Sequence, residues 1–191
     1  NENDASLFEA PFAHVLTYVK PEREQKREEY LKAKYWLHKR SSPELRQATK
    51  GLGRFLATPM VSKYRLFVWL HEVRLPENAC IAIARCDDTT FGVLHSRFHE
   101  VWSLATGTSL EDRPRYTPST CFETFPFPTG LTPANTKGQT TTQHGLILPP
   151  VTADVLPHAI AIAQAAFTLN HLRENWLNPP EWTERIPEVV A

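Results

Sequence analysis

Gly53–Leu70 reads GRFLATPMVSKYRLFVWL. Two runs rich in aromatic, aliphatic and β-branched residues, RFLAT and RLFVWL, flank ATPMVS, which carries the turn-formers Pro59 and Ser62. That pattern reads as strand, turn, strand. A third run, ACIAIA, follows the turn-forming LPEN. These residues place strands near 54–58, 65–70 and 79–85. The centre of the chain is therefore β.

The flanks are helical. Pro21 is tolerated in a first helical turn, and Tyr30, Leu31, Lys34, Tyr35 and Leu37 follow at helical spacing, which predicts a helix over 21–38. In SSPELRQATKG, Ser42 caps a short helix, Pro43 takes its first position and Gly51 stops it. Asp87 to Thr90 cap one helix through FGVLHSRFHEVWSLATG, with Leu94, Phe98, Val101, Trp102 and Ala105 along one face. EDRPRYTPST reads as a loop, and CFETFPFP as a short extended segment. Residues 129–150 are Thr-, Gly- and Pro-rich and read as an exposed linker or loop. A last helix opens at Asp154 and runs to about 176, with Val155, Ala159, Ile162, Ala166 and Leu169 as its stripe. Strands in the middle and helices at both ends agree with an α+β chain. The organisation expected is a domain over 1–128, a loop or linker over 129–150, a helical segment over 151–182 and a tail over 183–191. The polar start without Met suggests a piece of a longer protein.

Net charge is zero, but its distribution is uneven. Between Lys20 and Arg65 stand thirteen Lys and Arg against five Glu. PEREQKREEYLKAK alone fits a solvated helix with Glu–Lys pairs. The excess persists after the Glu residues stop, however, which makes it a candidate polyanion-facing surface. Arg40, Arg46, Lys50, Arg54, Ser62, Lys63, Tyr64 and Arg65 are the candidates for DNA-backbone contacts. EDRPRYT adds a loop mixing Glu111, Arg113 and Arg115. An Arg fork matches guanine in the major groove, and Glu accepts from the cytosine amine, so these three are the base-reading candidates.

Catalytic signatures fail one by one. LNPPEW (Leu177–Trp182) has the Asn-Pro-Pro of an amino-methyltransferase clamp, but Glu181 stands where a stacking ring is needed, and a helix precedes it rather than a strand. We read it as a helix stop. No Gly-rich turn admits S-adenosylmethionine, and no nucleophile elbow or phosphate loop is present. His95 and His99 stand four apart without a third ligand, so no metal is expected. Asp87–Asp88 suits a helix cap better than a nuclease centre. Three cysteines without paired spacing suit a reducing cytoplasm rather than a disulfide framework. No apolar run reaches the roughly 20 residues of a membrane span, so no membrane partner is expected.

KPERE, LRQATKGLGRFLATPMVSKYRLFVWL, FGVLHSRFHEVW and RPRYTPSTCFETFPFP resemble the target recognition domain of large adenine-specific DNA methyltransferases of type II restriction–modification systems, typified by MmeI. HLRENWLNPPEW resembles the segment that follows that domain. The resemblance runs from about Lys20 to Trp182, and it implies an α+β fold, a twisted, mostly antiparallel sheet flanked by helices, with a C-terminal helix. It implies a bacterial, cytoplasmic protein in phage defence whose double-stranded DNA target this domain reads for a catalytic domain of the same parent chain. That domain uses S-adenosylmethionine and carries its own Asn-Pro-Pro-aromatic motif; some members add a nuclease domain. None of this chemistry maps onto the present residues, so the fragment is expected to be no enzyme and to bind no cofactor. The family's base-reading residues vary with the target and lie partly where Glu111, Asp112, Arg113 and Arg115 stand. The alternative is a protein–protein docking module of a larger cytoplasmic protein, using the FPFP segment and the last helix.

Overall fold

The computed structural model describes residues 1–37, 42–110 and 113–184. The chain divides into two compact units, 1–44 and 45–191.

In the first unit, α1 (Glu2–Ser6) opens with a capping box between Asn1 and Asp4. α2 (Glu9–His14) leads through a π-helical turn, Val15–Val19, into α3 (Lys20–Glu24). The helix expected over 21–38 is broken. α4 (Glu29–Ala33) starts after Glu28, whose backbone is extended. Leu31 and Tyr35 are buried, and Arg23 reaches back to the carbonyls of Lys34 and Leu37. The charged first half of the segment offers no apolar face, so folding back around Tyr35 overrides helix propensity.

In the second unit, α5 (Pro43–Thr49) leads to an antiparallel sheet in the order β2-β1-β3. β1 (Arg54–Pro59) is central, and Phe55, Leu56, Ala57 and Thr58 are all buried. It pairs Leu56 with Trp69 of β2 (Val68–His71) and with Ile83 of β3 (Cys80–Ile83). All three strands fall where the sequence placed them, except that β2 begins three residues later than the expected Arg65.

Ser96 divides the helix expected after Asp87 in two. Asp87 caps α6 (Asp88–His95) by accepting from the Thr90 amide at 2.7 Å. Ser96 is extended, and its Oγ caps α7 (Arg97–Thr106) by accepting from the His99 amide at 3.2 Å. The break resets the helical phase. His99 and Ser103 face inward, whereas Phe98, expected on the apolar face, is 83% exposed.

β4 (Thr108–Leu110) and β5 (Arg113–Arg115) form a hairpin where a loop was expected. Pro118–Phe122 is a π-helical turn that buries Cys121, so CFETFPFP does not begin extended. Residues 129–150 are not wholly exposed either. β6 (Thr141–Gln143) and β7 (Leu146–Leu148) pair around His144 and Gly145, both at positive φ, and Leu146 and Leu148 are buried. α8 (Leu156–Leu177) starts two residues after Asp154 and ends at the expected stop, before Asn178 and its two prolines. Ala159, Ala163 and Ala166 turn inward. Close packing of α6 on α8 requires Gly92, where a Cβ would sit 2.6 Å from Ile162 Cγ2. Leu56, Phe67, Ile83, Phe91, Leu94, Tyr116, Cys121 and Ala166 make the main core. The architecture is α+β with small antiparallel sheets, as expected.

Candidate nucleic-acid interface

The segment between β1 and β2 joins the β4–β5 hairpin. The Tyr116 amide donates to the Met60 carbonyl at 2.7 Å, and the Ser62 amide to the Pro114 carbonyl at 3.2 Å. Val61 and Arg115 thereby form an antiparallel bridge. Residues 60–62 act as a third strand on β5, so the two segments singled out by sequence form one surface.

Side chains on β5 alternate. Arg113 and Arg115 are exposed, while Pro114 between them is half-buried and Tyr116 is sealed in the core. The two arginines therefore share one face, spaced by roughly 7 Å along the strand. Thr108 stands opposite Arg115 on one side and Val61 on the other. Sequence reasoning missed this flanking pair, for which the only signal was the alternation in Arg-Pro-Arg. At the turn, Ser62 Oγ donates to the Tyr64 carbonyl at 2.8 Å. Lys63 lies 5.5 Å from the centre of the Tyr64 ring, which is 67% exposed.

Arg46 and Lys50 lie on a different element. They are one helical turn apart, at the end of α5, and both are exposed. Glu72 holds the next turn by accepting from the amides of Gly51 and Gly53 at 2.7 and 3.1 Å.

Arg54 and Arg65, both expected to contact the DNA backbone, are tied into the protein. Arg54 donates to Asp88 at 2.8 Å and to the Cys86 carbonyl at 3.0 Å, and its guanidinium stacks 3.8 Å from the centre of Trp69. Arg65 donates to Thr58 Oγ1 at 3.0 Å and to the Pro59 carbonyl, and lies 4.9 Å from the centre of Tyr116. Burial lowers its pKa from the ordinary arginine value. Arg40 and Glu111 lie outside the described residues.

His95 and His99 are committed to the interior. His95 Nε2 accepts from the Phe67 amide at 3.2 Å, and its Nδ1 faces the Phe91 carbonyl at 3.3 Å. Burial and the nearby Arg173 push its pKa down to about 4, so it is neutral at pH 7. His99 Nδ1 donates to the Leu94 carbonyl at 2.9 Å. Among the described residues no group of three His, Cys, Asp or Glu could hold a metal, and no helix is long and apolar enough to cross a membrane.

The family model for the MmeI target recognition domain matches residues 14–129. The chain belongs to that family. Membership implies DNA sequence recognition within MmeI-like restriction–modification enzymes, which use S-adenosylmethionine in a catalytic domain. No catalytic domain is evident in this chain. No curated protein and no solved structure matches it significantly. The matched residues include the joined 60–62 segment and the whole β4–β5 hairpin.

Proposed function

We propose that this MmeI-family domain reads a short duplex DNA sequence for an adenine-specific methyltransferase domain of the same parent chain, of which the present sequence is a fragment. The observation that carries the reading is the face of the β4–β5 hairpin that presents Arg113 and Arg115 together. A two-stranded ribbon fits the major groove, where an Arg fork takes guanine O6 and N7. Glu111, between β4 and β5 in sequence, supplies an acceptor for a cytosine amine. Val61 and Thr108 beside Arg115 suit a thymine methyl. Ser62, Lys63 and Tyr64 hold phosphates beside the ribbon, and Arg46 and Lys50 add contacts that fix the register without reading sequence.

The test is duplex binding against salt, with selection from a random-sequence pool. Affinity that falls steeply with salt, together with an enriched short motif, supports the reading. Salt-sensitive binding without enrichment would leave only a phosphate-gripping surface. A second reading, protein docking, draws on Phe98 and Trp176, at 83% and 80% exposure, and gains the weight if DNA is not bound at low salt.

A further inference from the structure

Arg65 follows the 60–62 segment that joins the hairpin, yet its guanidinium is turned into the protein. One amino group donates to Thr58 Oγ1 at 3.0 Å and to the Pro59 carbonyl, at the end of the central strand. The other lies 3.5 Å from the Pro114 carbonyl, on the strand that presents the two exposed arginines. The guanidinium carbon lies over the Tyr116 ring, 4.9 Å from its centre, and the Tyr116 hydroxyl continues to His99 in the core. A guanidinium has five donors in a rigid fork and no acceptor. With three carbonyl or hydroxyl oxygens and a ring face already engaged, little of it remains to meet a phosphate.

We propose that Arg65 is a positioning residue. It clamps the 59–65 segment to β5 and so fixes the height and angle at which Arg115 meets a base, without touching DNA itself. The proposal rests on the reading that the hairpin face meets DNA. It assigns Arg65 a different role from its neighbour Lys63, which points outward. The acceptors come from two elements at fixed separation, so a flexible ammonium cannot reproduce the clamp. Arg65→Lys keeps the charge and loses the geometry.

The experiment compares the full chain with Arg65→Lys and Arg65→Ala in two measurements. The first is amide hydrogen exchange without DNA. Exchange at the Ser62 and Tyr116 amides, which close the joint, should be faster by about tenfold or more in both variants, with the β1–β2 ladder unchanged. Unchanged exchange at those two amides would overturn the clamp. The second is binding to the selected duplex and to a scrambled one across a salt series. The preference for the selected duplex should fall by about tenfold in both variants, with Lys failing to rescue and the salt slope unchanged. A phosphate contact predicts the opposite: equal loss on both duplexes, a slope smaller by about 0.9 in Arg65→Ala, and recovery in Arg65→Lys. That pattern would overturn the proposal. Failure of the unaltered chain to bind any duplex would instead sink the DNA reading, and the positioning role with it, while hydrogen exchange still judged the clamp on its own. Arg65→Lys keeps the test informative if Arg65→Ala does not fold.

Discussion

The Tyr116 hydroxyl donates to His99 Nε2 at 3.1 Å, and both side chains are sealed from solvent. His99 spends its other nitrogen on the Leu94 carbonyl, so the imidazole is neutral and fully paired. This pair ties the end of β5 to the junction of α6 and α7. Tyr116→Phe keeps the ring beneath Arg65 and strands the His99 acceptor. The expected cost is about 1–3 kcal/mol of unfolding free energy, read from urea melts. A cost below about 0.5 kcal/mol would mean that the bond contributes little to stability.

Histidine burial sets a pH dependence. His95 titrates near 4 in the folded chain, against 6.5 as its ordinary value. Between those values the unfolded chain binds the extra proton, so stability is complete above about 6.5 and declines as pH falls towards 4. His99 is shifted in the same direction, also by burial. Because His95 keeps some solvent exposure, we expect a loss of about 1–2 kcal/mol between pH 7 and pH 5, much reduced in His95→Gln. Urea melts at the two pH values check it. An equal loss in the variant would place the dependence elsewhere.

The sheet was legible because Phe55–Thr58 and Val68–Leu70 are dense in strand-formers and bounded by turn residues. α8 was legible because one apolar stripe persists over many turns. The hairpins were not. Strands of three residues, such as β4 to β7, give too few alternations to separate from loop. The break at Ser96 depends on one side chain capping its own backbone, which a periodicity reading averages away. At the candidate site, cationic residues could be seen but their acceptors could not. Asp88 and Pro114 stand 34 and 49 residues from the arginines they hold. Only the fold reveals that Arg54 and Arg65 are occupied.

The stretch read as a linker should behave as core. Leu148 is 1% exposed, packed with Leu146 and Ala163, and the neighbouring Ile147 amide donates to Asp88 at 2.8 Å. Leu148→Ala should cost about 2–5 kcal/mol. Replacing exposed Thr142 by Ala should cost under about 0.5 kcal/mol. Equal, small effects at both positions would restore the linker reading.

Gly92→Ala tests the α6–α8 contact. The added Cβ would meet Ile162 Cγ2 at 2.6 Å and the Ile162 carbonyl oxygen at 3.0 Å. Alanine's helix preference favours the change by about 1 kcal/mol, while overpacking against backbone costs about 1–3 kcal/mol. Because a backbone oxygen is among the obstacles, the clash should prevail and the thermal midpoint should fall. A raised midpoint would show that α8 can shift without penalty.

Fold and recognition should separate cleanly among the cations. Lys63 and Arg113 are exposed, so Lys63→Ala and Arg113→Ala should leave thermal stability unchanged within about 0.5 kcal/mol. Lys63→Ala should weaken every duplex alike and reduce the salt slope by about 0.9, as loss of one phosphate contact does. Arg113→Ala should instead relax preference at one base position, by about 1–3 kcal/mol. Arg54→Ala should do neither first. It removes the partner of Asp88, whose side chain is 3% exposed, and leaves a buried carboxylate short of one donor. Because the Arg54 side chain is itself 28% exposed, about 2 kcal/mol of stability is the expected loss, below the range for a fully buried pair. DNA binding by Arg54→Ala at a temperature where it stays folded should match the unaltered chain. Weakened binding with intact stability would return Arg54 to the list of phosphate contacts, and unchanged binding in both Lys63→Ala and Arg113→Ala would remove the hairpin and its neighbouring turn from the interface.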